Sequence, residues 1–198
     1  MSMCKVDWPK VMAVTNRHLC QGDFLAQVEK IASRRPGGIL LREKDLPEEA
    51  YASLAQEVAT LCKAWSVPLY LHTFPLPVQA VRAAGLHLPL MRLRQASTAR
   101  ELPQARIGAS CHSVAEVQEA AGRGCSYVIA GHIYATSCKE GLPGRGLSFL
   151  QSVCRAAGTM PVYAIGGITP DRMTEVLSAG AAGVCVMSGM MRDSEWWR

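Results

Sequence analysis

An eight-stranded α/β barrel is the fold this sequence predicts, and three observations predict it. Eight short apolar segments recur along the 198 residues, at intervals of about twenty to twenty-five residues. Most of them are followed by an amphipathic, helix-like stretch. The strand segments are apolar throughout rather than alternating, as a parallel sheet covered on both faces requires. An open doubly wound sheet shows the same succession but usually stops at about five or six strands. Eight repeats close into a (β/α)8 TIM barrel, here at the small end of the usual range of about 200 to 250 residues. Residues 1–198 therefore read as one (β/α)8 barrel domain with a short C-terminal helix, since only Met190 to Arg198 remains to form it.

The elements follow in order. Val11 to Thr15 is the first strand; Asp23 then caps a helix that turns Leu25, Val28 and Ile31 inward. Gly37 and Gly38 break it, and residues 39–42 form the second strand. Pro47, Glu48 and Glu49 open a helix to about Trp65, proline at the first turn and acids at the positive helix end being good start signals. Leu54, Val58 and Leu61 are its inward stripe. Pro68 to Leu71 is the third strand, Val78 to Ala84 a short helix, and Gly85 to Leu88 the fourth strand, followed by a loop from Pro89 to Gln95 and a weak helix or turn at 97–102. Arg106 to Cys111 is the fifth strand. Ser113 and Glu116, three apart, form a capping box for the helix behind it. The sixth strand, Ser126 to Gly131, enters a long glycine-bearing loop, and a helix runs from Leu147 to about Ala156. Pro161 to Gly167 is the seventh strand, with a helix from Thr169 to Gly180; Gly183 to Met187 is the eighth.

The composition narrows the functional classes. With 49% hydrophobic and 19% charged residues the chain can bury a sizeable core, and no linker or low-complexity tract divides it. Its apolar runs stop short of the roughly 18 residues of a membrane span, and residues 1–8 lack a secretory segment, so a soluble cytoplasmic protein without membrane contact is expected. Eight cysteines stand singly, without a CxxC pair. Reduced thiols are the better account, and neither Cys nor His spacing offers the ligand pairs of a structural zinc. The net charge of +5 is scattered and little interleaved with aromatics, so nucleic acid is not the expected partner. A phosphate-bearing small molecule fits better.

Barrel enzymes carry their chemistry at the C-terminal ends of the strands. Those ends read Thr15, Arg42 with Lys44, His72, His87, Ser110, His132, Gly166-Gly167 and Ser188-Gly189. Such a site is basic, hydroxyl-bearing and centred on imidazole. No carboxylate offers itself as a metal ligand, because Glu43 and Asp45 have basic neighbours. IleGlyGlyIleThr (165–169) and MetSerGly (187–189) bring backbone N–H groups free of bulk to helix starts, as barrels do to hold phosphate after strands seven and eight. Gly166, Gly167, Ile168, Met187, Ser188 and Gly189 are therefore the candidate phosphate ligands. His132, where an apolar strand meets a polar loop, reads either as a core histidine bonded to a carbonyl or as a proton carrier titrating near neutrality. Of Ser110 and His112, Ser110 is taken to face the axis. His72 and His87 read as structural, and Cys138 lacks the flanks of a thiolate nucleophile.

With these residues in place the chain resembles the thiamin phosphate synthase superfamily, and within it the TenI-type thiazole tautomerases. The resemblance rests on residues 40–46 (LLREKDL), 85–88 (GLHL), 107–112 (IGASCH), 127–147 (YVIAGHIYATSCKEGLPGRGL), 161–168 (PVYAIGGI) and 183–189 (GVCVMSG). Synthases tend to carry proline after the strand-six glycine, whereas the tautomerases carry histidine there and Cys-Lys near the loop end. This sequence has Gly131-His132 and Cys138-Lys139. The two aspartates with which synthases hold Mg²⁺ are replaced here by His72-Thr73-Phe74 and Leu90-Met91-Arg92-Leu93. The resemblance implies a metal-free and cofactor-free isomerase in thiamin biosynthesis. It would convert a thiazole carboxylate phosphate tautomer to its aromatic form with His132 as base and then acid. Arg42, Lys44 and Lys139 would pair with phosphate or carboxylate, and Ser110, Thr136 and Cys138 would line the substrate. The alternatives are a thiamin phosphate synthase, or a non-catalytic regulatory protein binding a thiazole or thiamin phosphate. A homodimer is expected from the shortened last helix.

Overall fold

In the computed structural model, which describes residues 6–95, 105–139 and 141–197, the chain closes into a barrel. Its strands are β1 (Val11–Val14), β2 (Gly38–Leu41), β3 (Leu69–His72), β4 (Gly85–Pro89), β5 (Arg106–Cys111), β6 (Tyr127–Gly131), β7 (Val162–Ile165) and β8 (Gly183–Val186). Each pairs in parallel with the next, and β8 returns to β1, with Val11 opposite Val184. Closure leaves no sheet edge, so every strand is covered by helices outside and by its neighbours' side chains inside.

The helices are α1 (Phe24–Ser33), α2 (Glu48–Ala64), α3 (Leu76–Ala80), α4 (Leu90–Gln95), α5 (Val114–Gly122), α6 (Gly146–Ala157), α7 (Met173–Ser178) and α8 (Ser188–Met191). Asp23 caps α1 by accepting from the Ala26 N–H at 2.7 Å. Leu54 and Leu61 only flank the buried stripe of α2, which is Tyr51, Ala55, Val58 and Cys62. Ser113 caps α5 as expected, accepting from the Glu116 N–H. The reciprocal bond differs: Glu116 takes the His112 N–H, one residue earlier than a capping box specifies.

Three segments depart from the sequence reading. The helix expected at 78–84 is α3, shifted earlier, because Arg82 turns the backbone to φ 52° and ends it. The expected loop from Pro89 to Gln95 is mostly the helix α4, whose Leu90 and Leu93, three apart, are both buried. A 3-10 turn at Pro170–Arg172 precedes α7 and takes up the first residues of the helix expected from Thr169. The weak helix or turn at 97–102 lies outside the described residues.

The barrel lumen is filled from below. Met12, Val14, Leu40, Tyr70, Tyr127, Ile129 and Cys185 form a buried cluster inside the strands. Tyr127 stands edge-on to both Tyr70 and Tyr163, at centroid distances of 5.6 and 5.9 Å. Room for the Tyr127 ring comes from Gly108, where a Cβ would fall 2.1 Å from a ring carbon. With the lower lumen plugged by aromatic rings, the space left for a ligand is at the C-terminal ends of the strands. Among the described residues no helix is long and apolar enough to cross a membrane.

Candidate active site

The C-terminal ends of the strands enclose one cavity of about 690 Å³. All thirteen residues singled out from the sequence line it: His132; Arg42, Lys44, Ser110, Thr136, Cys138 and Lys139; and the two turns with Gly166, Gly167, Ile168, Met187, Ser188 and Gly189. They reach it from β2, β5, β6, β7 and β8, which is why so dispersed a set converges.

The ends of β1, β2 and β3 are locked together before any ligand arrives. Thr15 donates its hydroxyl to Glu43 at 2.7 Å and accepts the Arg42 N–H at 2.9 Å. Glu43, 3% exposed, also takes the Arg17 N–H at 3.0 Å. Asp45 is held by Arg17 and His18; those hydrogen bonds, Arg17 first, keep its carboxyl down at about 2. The principal basic partner of both acids is thus Arg17. Beneath, Tyr51 donates to the Leu41 carbonyl at 2.7 Å and accepts the His72 N–H at 2.8 Å, tying β2 to β3.

His72 and His87 line the cavity. Their rings stack at 5.9 Å. His72 Nδ1 meets the Thr73 hydroxyl at 2.6 Å, and His87 Nε2 meets Ser110 Oγ at 2.8 Å. Burial, then Arg42 and Lys44, push the His72 imidazole down to about 3. Burial likewise holds His87 well below its ordinary value, with His72 and Arg42 adding to it. Both are neutral at physiological pH. Among the described residues, the Nδ1 of His87 and the hydroxyl of Tyr127, both buried, have no partner.

His112 lines the cavity together with Ser110. The reading that only one of them faces the axis fails on strand geometry, since residues two apart share a face. His112 Nδ1 meets the Gly131 carbonyl at 2.9 Å.

His132 is 7% exposed and its Nε2 lies 3.4 Å from the Leu142 carbonyl, a long contact that leaves the imidazole loosely held. Its own carbonyl accepts the Arg145 N–H, and Ile133 bonds to Ile165, so the loop is pinned on both sides of the ring. Opposite stands a cation cluster. Burial lowers the Arg42 guanidinium, and Lys44 is lowered first by Arg42, then by burial and by Lys139. Like charges held this close favour an anion between them.

The two glycine turns border the same cavity. Among the described residues no group accepts a hydrogen bond from the N–H groups of Gly167, Ile168, Ser188 or Gly189. Free N–H groups on adjacent turns are the kind of donor set that can hold an anion. Arg172, Arg192 and Trp196 also line this side, and sequence reading missed them. Arg172 could have been found from its place directly after the glycine turn; the C-terminal residues offered no such signal.

The synthase alternative would need a place for Mg²⁺, which takes oxygen ligands, chiefly carboxylates and phosphates. At the ends of β3 and β4 the chain presents His72, Thr73, Pro89 and Arg92 instead. The carboxylates lining the cavity are Asp193 and Glu195, both exposed beside β8. Among the described residues no three His, Cys, Asp or Glu side chains are grouped to hold a metal. The donor set does not fit Mg²⁺.

A family model described as thiamine monophosphate synthase (TMP-TENI) matches residues 11–190. The chain belongs to that family. Its TMP-TENI relatives include thiamine-phosphate synthase 2 of Streptococcus pneumoniae TIGR4, 33% identical over 189 residues, covering 94% of this chain and 89% of the relative. Thiamine-phosphate synthase of Enterococcus faecalis is 32% identical over 188 residues, covering 92% and 86%. Among solved structures, thiamine phosphate pyrophosphorylase from Pyrococcus furiosus superposes with a TM-score of 0.78 at 25% identity, covering 94% of this chain and 90% of that one. The TMP-TENI assignment makes this a barrel of thiamin biosynthesis. These relatives bear the name of the synthase, a transferase, and not that of a tautomerase.

Proposed function

We propose that this chain acts on a phosphorylated thiazole, and that its reaction is the metal-free proton shift that aromatises a thiazole carboxylate phosphate. The observation that carries this reading is the contact of His132 with the phosphate turn. A Cβ on Gly166 would lie 2.4 Å from that of His132, so a ligand whose phosphate rests on Gly167 and Ile168 brings its ring beside the imidazole. His132 removes the proton from the ring carbon that bears the carboxylate. The electron pair moves into the ring, and the same imidazolium returns the proton to the exocyclic carbon. No atom is lost, and aromatisation drives the step. Arg42, Lys44 and Lys139 pair with the carboxylate; Ser110 and Thr136 add hydrogen bonds; Cys138 closes the loop side.

The second reading is a thiamin phosphate synthase, and the names of the relatives favour it. It requires a site for Mg²⁺ and pyrophosphate that the donor set at β3 and β4 does not offer.

Turnover of enzymatically generated tautomer, followed by the rise of aromatic absorbance in EDTA, tests the two. Acceleration over buffer that falls about 10²- to 10⁴-fold in His132→Ala supports the proton shift. Absence of acceleration, with Mg²⁺-dependent pyrophosphate release from a pyrimidine pyrophosphate and thiazole phosphate, would replace it by the synthase.

A further inference from the structure

The glycine turn after β7 is held by a cavity-lining residue to which neither the sequence reading nor the proposed reaction gives a role. Arg172 donates through one guanidinium nitrogen to the Gly167 carbonyl at 3.0 Å. Its guanidinium carbon lies over the Tyr134 ring, 4.5 Å from the centroid, and the Tyr134 hydroxyl donates to Glu175 on α7. The Tyr134 N–H in turn bonds to the Gly166 carbonyl at 3.0 Å. Gly167 has no space for a side chain: a Cβ there would sit 2.4 Å from the Ala135 carbonyl and 2.9 Å from Tyr134 Cβ. Tyr134, Arg172 and Glu175 thus join the β6 loop, which carries Thr136 to Lys139, to the turn that carries Gly166 to Ile168.

We propose that Arg172 is a positioning residue for the phosphate group of the ligand, acting through the Gly167–Ile168 peptide. A trans peptide points its C=O and N–H in opposite directions. With the Gly167 carbonyl fixed on Arg172, the Ile168 N–H is aimed the other way, and it has no acceptor among the described residues. The bracket also turns a carbonyl dipole, which would repel an anion, away from the cradle. A guanidinium can donate to a carbonyl from one nitrogen while its delocalised cation sits over an aromatic ring; a lysine provides the charge but neither the plane nor the fork. The inference rests on reading the two glycine turns as a phosphate cradle.

Calorimetric titration of the whole chain with inorganic phosphate tests it, alongside thermal melting to verify folding. Wild type is expected to bind phosphate, Arg172→Gln to bind it about tenfold more weakly, and Arg172→Lys to recover only part of that loss. Tyr134→Phe, which keeps the ring, is expected to stay near wild type, and Tyr134→Leu to approach Arg172→Gln. In the catalysed reaction Arg172→Gln raises KM and leaves kcat nearly unchanged, since His132 is untouched. Equal phosphate affinity in wild type and Arg172→Gln would overturn the bracket while leaving the cradle standing. Full recovery in Arg172→Lys would overturn it too, reducing the effect to charge. A wild type that binds no phosphate would sink the cradle reading itself, and the bracket with it.

Discussion

His132 and Gly166 are in backbone contact: a methyl group on Gly166 would lie 2.4 Å from the His132 Cβ and 2.8 Å from its Cα. The proposed proton carrier and the proposed phosphate turn therefore pack directly against each other. Gly166 also sits at φ +105°, where an L side chain is strained. We expect Gly166→Ala to cost at least about 1–3 kcal/mol of stability and to lower turnover and phosphate affinity together. Thermal melting and phosphate titration on the same preparation check this. Loss of turnover with phosphate affinity intact would separate the two elements that the contact joins.

The neutral histidine pair predicts acid lability. His72 titrates at about 3 in the fold against 6.5 in the unfolded chain, and His87 is also well lowered. Between those values the unfolded chain binds more protons than the native one. The contribution is complete above about pH 6.5 and is lost as pH falls toward 3, at up to about 1.4 kcal/mol per pH unit for each histidine. Urea melts at pH 7.5, 6 and 5 should show this slope in wild type and a shallower one in His72→Asn. Parallel slopes in the two proteins would mean that His72 is charged in the fold.

Thr15 and Glu43 form the lock at the cavity rim. Thr15→Val keeps the shape but leaves both the buried Glu43 carboxylate and the Arg42 N–H without the hydroxyl they share. A loss of about 1–3 kcal/mol is expected, with Thr15→Ser close to wild type, measured by urea denaturation at pH 7.5. A Thr15→Val protein as stable as wild type would show that the backbone of Arg17 alone satisfies Glu43.

Strand positions and the convergence of the site were legible because both follow from local rules. Apolar runs such as 127–130 fix where strands lie, and the barrel fixes which ends converge. The errors came where a signal was tertiary or misapplied. Leu90 and Leu93 carry a helix too short to show a period. Arg82 ends α3 at a backbone angle that arginine does not advertise. His72 and His87 read as structural from their bulky apolar neighbours, a reading their burial leaves open; alternation adds that both face the lumen and line the cavity. Arg172 and Trp196 reach the cavity from elements behind the strand ends, which no strand-end list contains. That Glu43 pairs with Arg17, 26 residues away, is a consequence of β1 lying beside β2.

The 3-10 turn at Glu195–Trp197 packs against the second glycine turn. Trp196 is 2% exposed, and its Cδ1 lies 2.5 Å from where a Cβ on Gly189 would be. Ser194 donates to the Gly189 carbonyl at 2.7 Å, and Trp8 stands edge-on to Trp196 at 6.4 Å. The second glycine turn is thereby pressed between its own strand and an indole. Trp196→Ala is expected to cost about 3–5 kcal/mol and to weaken phosphate binding, while Ser194→Ala, which removes one hydrogen bond, costs about 0.5–1.5 kcal/mol. Urea denaturation gives the stabilities, and phosphate titration well below the melting temperature gives the affinities. A Trp196→Ala protein that is destabilised yet binds phosphate as wild type does would assign the indole to packing alone, with the turn held by its own backbone.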